Sequence, residues 1–137
     1  MPFEIALAAP GIFTLNQTGA GRGAVLHGAS GAAVTDANPA RPGEVLSVFV
    51  SGLGTTSPAA TSGSAATSFP LQTTTRPVTG SIGGLSAPVS FSGLAPGFAG
   101  LYQVNIQVPE AVAAGEQTLQ LTCADTLSNP VTIQVQR

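Results

Sequence analysis

One histidine, one cysteine and six carboxylates are the residues of this chain best equipped to do chemistry. His27 is the single imidazole, and beside an acid and a serine it has the ingredients of a Ser/His/acid triad, in which the ring takes the hydroxyl proton as the nucleophile attacks. The chain nowhere contains Gly-x-Ser-x-Gly, the motif that lifts a serine onto a strained elbow. His27 therefore reads as a surface or hairpin-end residue. A zinc site built on imidazole and thiolate would have only His27 and Cys123, too few donors to close the coordination shell. Cys123 follows Leu119 and Leu121 on one parity, the pattern of a buried, inert thiol, and a lone cysteine excludes an internal disulfide. For calcium, Asp36, Glu44 and Asp125 with backbone carbonyls offer oxygen ligands, yet they match no Asp-x-Asp spacing and read as exposed turn acids. No two acids are near neighbours in sequence, so nothing recommends a carboxylate pair for glycoside hydrolysis. The expectation is a protein that is not an enzyme, with no catalytic, cofactor-binding or metal-binding residues and no cofactor.

Composition narrows the partners. Charged residues make up 7% of the 137, lysine is absent, and Arg22, Arg41, Arg76 and Arg137 are scattered from one end to the other. Phosphate binding needs clustered cations, so nucleic acid is excluded as a partner, and so is a polybasic membrane anchor. No apolar run approaches the roughly 20 residues that span a bilayer, so no transmembrane segment is expected. With a net charge of −2, solubility rests on Ser, Thr, Gln and Asn, which suits an extracellular protein or one packed among its own copies. Met1-Pro2-Phe3-Glu4 lacks the basic start and long apolar run of a signal peptide, so secretion would depend on a leader outside this chain.

The elements that would position any site are strands. From Gly100 to Pro109, Tyr102, Val104, Ile106 and Val108 take one parity and Gln103, Asn105 and Gln107 the other, the signature of a strand with one face in a core and one in water. Glu44 to Ser51 is apolar on both parities and is expected to be a central strand covered on both faces. Further strands are expected at Phe3 to Ala8, Gly23 to His27 with a short return at Ala33 to Thr35, Pro77 to Ile82, Leu85 to Phe91, Glu116 to Thr122 and Pro130 to Val135. Gly83-Gly84 marks a two-residue hairpin turn, and Glu110 to Gly115 has room for one helical turn. Gly52 to Pro70, rich in Gly, Ser, Thr and Ala, reads as a long loop. Short strands about ten residues apart, punctuated by Gly and Pro, indicate an all-β fold, an antiparallel immunoglobulin-like β-sandwich.

Several segments carry a family resemblance: Ala9-Pro10-Gly11-Ile12-Phe13-Thr14, Asn38-Pro39-Ala40-Arg41-Pro42-Gly43-Glu44, Ser51-Gly52-Leu53-Gly54, Phe91-Ser92-Gly93-Leu94-Ala95-Pro96-Gly97-Phe98 and Gly100-Leu101-Tyr102-Gln103-Val104-Asn105. Together they resemble the C-terminal domain of large secreted proteins of Solibacter-type acidobacteria. In that family two related immunoglobulin-like repeats stand in tandem. The resemblance implies that residues 1–9 are the last strand of a preceding repeat and residues 10–137 the second repeat. It carries no activity and no site residues. It implies an extracellular or cell-surface accessory domain.

Three functions remain in view. A structural or attachment module would pack flat, amide-rich faces against neighbouring domains or copies of itself, and strand Phe3 to Ala8 of one copy could complete a neighbour's sheet. A carbohydrate-binding accessory domain of a polysaccharide-active enzyme needs exposed rings, for which Phe69 and Phe98 in their loops are the candidates, with Tyr102 in the core or an interface. An enzyme would have to be built around His27.

Overall fold

The alternation of Tyr102 to Val108 and the β-branched density of Val45 to Val50 make these two segments neighbours at the centre of the structure. The computed structural model describes residues 10–14, 21–53, 56–57, 73–74, 77–95, 101–123 and 126–137. The strand expected at Phe3 to Ala8, the Pro96-Gly97 turn, Asp125, Phe69, Phe98 and most of the Gly52 to Pro70 loop lie outside these residues.

The strands among them, in chain order, are β1 (Gly11–Ile12), β2 (Val25–His27), β3 (Val45–Ser51), β4 (Thr56–Ser57), β5 (Thr73–Thr74), β6 (Val78–Ile82), β7 (Leu85–Ala87), β8 (Val89–Leu94), β9 (Tyr102–Gln107), β10 (Gly115–Cys123), β11 (Thr126–Leu127) and β12 (Val131–Val135). The larger sheet has seven strands in the order β1-β3-β9-β8-β5-β4, with β2 also on β3. The smaller has five, in the order β11-β10-β6-β7, with β12 also on β10. Strand pairing is antiparallel in both sheets. The chain is an all-β sandwich, as its strand spacing indicates.

Inward parities supply the core. Leu46, Val48 and Val50 of β3 and Val104 and Ile106 of β9 face Ile82, Leu119, Leu121, Cys123, Val131 and Ile133 of the other sheet, all buried. Gly80 of β6 lies where a Cβ would run into Ile106 Cδ1 and stand 3.1 Å from Leu121 Cδ2, so a side chain is missing there because Ile106 fills its place. Gly83 and Gly84 turn β6 into β7 with φ of +62° and +80°, the left-handed pair that a tight hairpin requires.

Four expectations are corrected. β3 is central in its sheet but not covered on both faces: Leu46, Val48 and Val50 are buried, while Val45 is exposed and Ser47, Phe49 and Ser51 are half-buried. Leu85 to Phe91 is not one strand, because the chain changes sheets at Pro88, with β7 on β6 and β8 on β9. Proline has no N–H for either ladder, which suits the crossing point. Glu110 to Gly115 forms no helix; the Val112 N–H donates to the Pro109 carbonyl at 3.3 Å in a tight turn, and the Arg137 guanidinium donates to the Glu110 and Val112 carbonyls at 2.8 and 2.6 Å. His27 is no surface residue, since it is 8% exposed. Cys123 is buried as expected, its thiol 3.7 Å from the Leu53 carbonyl. No helix among the described residues is long and apolar enough to cross a membrane.

Candidate functional site

Two clusters of polar side chains stand out, and they differ in what they leave free. The first surrounds His27, at the inner end of β2. Arg41-Pro42-Gly43-Glu44 has proline second and glycine third, the order of a type II turn, and it forms one: Gly43 has φ +85° and the Glu44 N–H donates to the Arg41 carbonyl at 3.2 Å. This turn brings the Glu44 carboxylate to His27 Nδ1, and its second oxygen accepts the Arg41 N–H at 2.8 Å. A second tight loop, Thr35 to Asn38, aims the Asn38 carbonyl at His27 Nε2, 3.0 Å away.

Both ring nitrogens thus face oxygen acceptors, the arrangement an imidazolium satisfies and a neutral ring does not. Burial opposes the charged ring most strongly, but the Glu44 hydrogen bond, the Asn38 carbonyl and the Glu44 charge together outweigh it, and the His27 pKa is raised above 6.5. No local pattern links His27 to Glu44, because their partnership depends on the turn at Pro42-Gly43. Both nitrogens are thus engaged by groups of the same chain.

The acids expected to be turn residues are placed as follows. Asp36 pairs with Arg22 at 2.8 Å, and Arg22 also reaches Glu116 at 2.8 Å and Thr132 at 3.1 Å. Glu44 is held by His27 and Arg41. Among the described residues no three His, Cys, Asp or Glu side chains gather in a group that could hold a metal ion.

The second cluster is the outer face of the larger sheet. Register places Ser47 opposite Asn105 and Asn105 opposite Phe91, while Phe49 stands opposite Gln103 and Val45 opposite Gln107. Phe13, whose N–H donates to the Phe49 carbonyl at 3.1 Å, extends the second row beyond β3 and is 46% exposed. Phe49 and Phe91 are half-buried, and Tyr102, on the opposite parity, packs against the core. Phe49 and Phe91 are two strands apart across the sheet, roughly 10 Å, and two residues apart along it.

Between the rings lie the amides. Asn105 Oδ1 accepts from Gln103 Nε2 at 2.8 Å and from Ser47 Oγ at 3.3 Å, and Gln107 Nε2 donates to the Gly43 carbonyl at 3.2 Å. Those bonds orient the side chains and leave Asn105 Nδ2, Gln103 Oε1 and Gln107 Oε1 without a partner among the described residues. None of the side chains in these rows ionises. The amides are legible in their alternation, whereas Phe69 and Phe98, the rings expected for a glycan, lie outside the described residues and only strand register brings Phe13, Phe49 and Phe91 to this face.

An open cleft of about 270 Å³ lies beside β8, lined by residues that include Thr73, Val78, Val89 and Phe91. Comparisons with protein-family models, with curated proteins and with solved structures find no match to this chain. What defines the protein is its architecture, an all-β sandwich with a neutral ring-and-amide face on one sheet.

Proposed function

We propose that this domain is a non-catalytic, immunoglobulin-like structural or attachment module of a secreted or cell-surface bacterial protein, and that the outer face of the larger sheet is its working surface. The observation that carries this reading is the uncharged face with Phe13, Phe49 and Phe91 around amides that retain hydrogen-bonding capacity. Burying such a face removes no ion from water, so its polar desolvation cost is that of the amides alone and is recovered where the partner hydrogen-bonds them. The engagement of both His27 nitrogens supports the non-catalytic part. The resemblance to secreted acidobacterial proteins supports the location.

Self-assembly by strand addition is a version of the same reading. β7 ends the smaller sheet with Leu85 exposed, whereas the β12 side carries bridges from Arg22 and Ala40. A strand from a second copy, such as Phe3 to Ala8, would pair along β7.

Two measurements test the proposal. No turnover of ester, amide or glycoside substrates is expected, and activity abolished by His27→Gln would overturn the non-catalytic reading. Light scattering across a concentration series tests strand addition: mass that grows with concentration and stays monomeric in Leu85→Lys supports it, and a constant monomer mass removes it.

A further inference from the structure

We propose that the occupant of the outer face is a neutral polysaccharide chain, bound by Phe13, Phe49 and Phe91 through their rings and by Gln103, Asn105 and Gln107 through their amides. This rests on the reading of that face as the working surface and names the chemistry it recognises.

The placement of polar groups separates a glycan from a protein partner. Protein interfaces put apolar groups at the centre and polar groups at a wet rim. Here the order is reversed, because Gln103 and Asn105 occupy the middle of the rows and the rings flank them. A dry protein surface laid over this face would bury Asn105 Nδ2, Gln103 Oε1 and Gln107 Oε1 without partners, which is unfavourable for each group. A sugar unit brings both needed chemistries at once: C–H groups on a ring face to lie against phenylalanine, and hydroxyls around its edge that donate to the glutamine oxygens and accept from Asn105 Nδ2.

Charge selects further. The rows contain no Arg, Lys or His to compensate a uronate or sulfate, so an acidic chain would lose hydration without gaining a counter-charge.

The probe is a panel of soluble neutral polysaccharides (a linear β-glucan, a xylan and a mannan) with polygalacturonate as the acidic member, read by affinity gel electrophoresis. At least one neutral polymer is expected to retard the protein and polygalacturonate is not. Phe49→Ala and Asn105→Ala should each weaken retardation about tenfold or more, the scale of one lost ring contact or hydrogen bond. Leu127→Ala, an exposed change on the other sheet, should leave it unaltered. Unchanged thermal unfolding of the variants separates lost binding from lost fold.

Retardation by polygalacturonate alone, or retardation indifferent to both variants, overturns the inference. If no polymer binds and the protein instead self-associates in a manner abolished by Phe49→Lys, the face holds a second copy: the glycan inference falls and the attachment reading stands. If neither binding nor association depends on this face, both fall.

Discussion

His27 is a buried ring with both nitrogens held by oxygen acceptors. Its ring ties three consecutive pieces of chain together, the end of β2, the Thr35 to Asn38 loop and the turn that opens β3. Glu44 is the charged group acting on it among the described residues; Arg41 contributes its backbone N–H to that carboxylate, and Asp36 is committed to Arg22. Because the folded-state pKa is raised above 6.5, the folded protein holds the proton more tightly than the unfolded chain. The stabilisation is complete below the unfolded value of 6.5 and disappears as pH climbs through the higher folded value. Urea unfolding from pH 5 to 9 should show stability falling across that window, and His27→Gln should flatten the fall; an unaltered profile in the variant would assign it to other groups. At Gly80 the constraint is steric. Gly80→Ala drives a methyl against Ile106 and Leu121, and the expected loss is about 1–3 kcal/mol, read as a lower urea midpoint with unchanged slope.

At the scale of elements, the loop between β11 and β12 closes one end of the sandwich. Asn129 Oδ1 accepts the Ile12 N–H at 2.6 Å and Asn129 Nδ2 donates to the Ile12 carbonyl at 3.0 Å, so one side-chain amide takes the place of a strand partner for β1. Ser128 fixes the loop through its hydroxyl, which accepts the Leu121 N–H at 2.9 Å. Asn129→Ala should destabilise the domain by about 1–3 kcal/mol and raise amide exchange at Ile12 before it does so in β9 or β10; uniform exchange along all strands would show that the amide has no local role. Little of this was readable beforehand. The strands of the core were legible in the alternation of Tyr102 to Val108 and Leu119 to Cys123, and the hairpin in Gly83-Gly84, because period and turn chemistry are local. Asn129 and Ile12 lie 117 positions apart, and no local pattern links an amide in a turn to a distant backbone. The sheet change at Pro88 was hidden for a related reason: alternation continues through the crossing and says nothing of which neighbour each half pairs with. The ring-and-amide face was half legible, its amides in the period of β9 and its rings only through register.

The molecule as a whole joins its early and late segments along one side. Gly21 to Gly23 runs parallel to β12, with the Gly23 N–H on the Thr132 carbonyl at 3.0 Å and the Thr132 N–H on the Gly21 carbonyl at 2.8 Å. Further along, the Ala40 N–H donates to the Gln134 carbonyl and the Gln136 N–H to the Ala40 carbonyl, both at 2.8 Å. Arg22 clamps the same region through Asp36, Glu116 and Thr132. This geometry has a mechanical meaning. Tension that enters the chain ahead of Gly21 and leaves it beyond Val135 pulls two parallel segments in opposite directions along their own axes. The bonds between them are then loaded side by side and must yield together, instead of opening one after another like a zipper. Under such a load, resistance is set by the rate of unfolding and not by the equilibrium stability. If the domain bears load, as the attachment reading proposed above requires, that strength resides in a few backbone hydrogen bonds and one arginine.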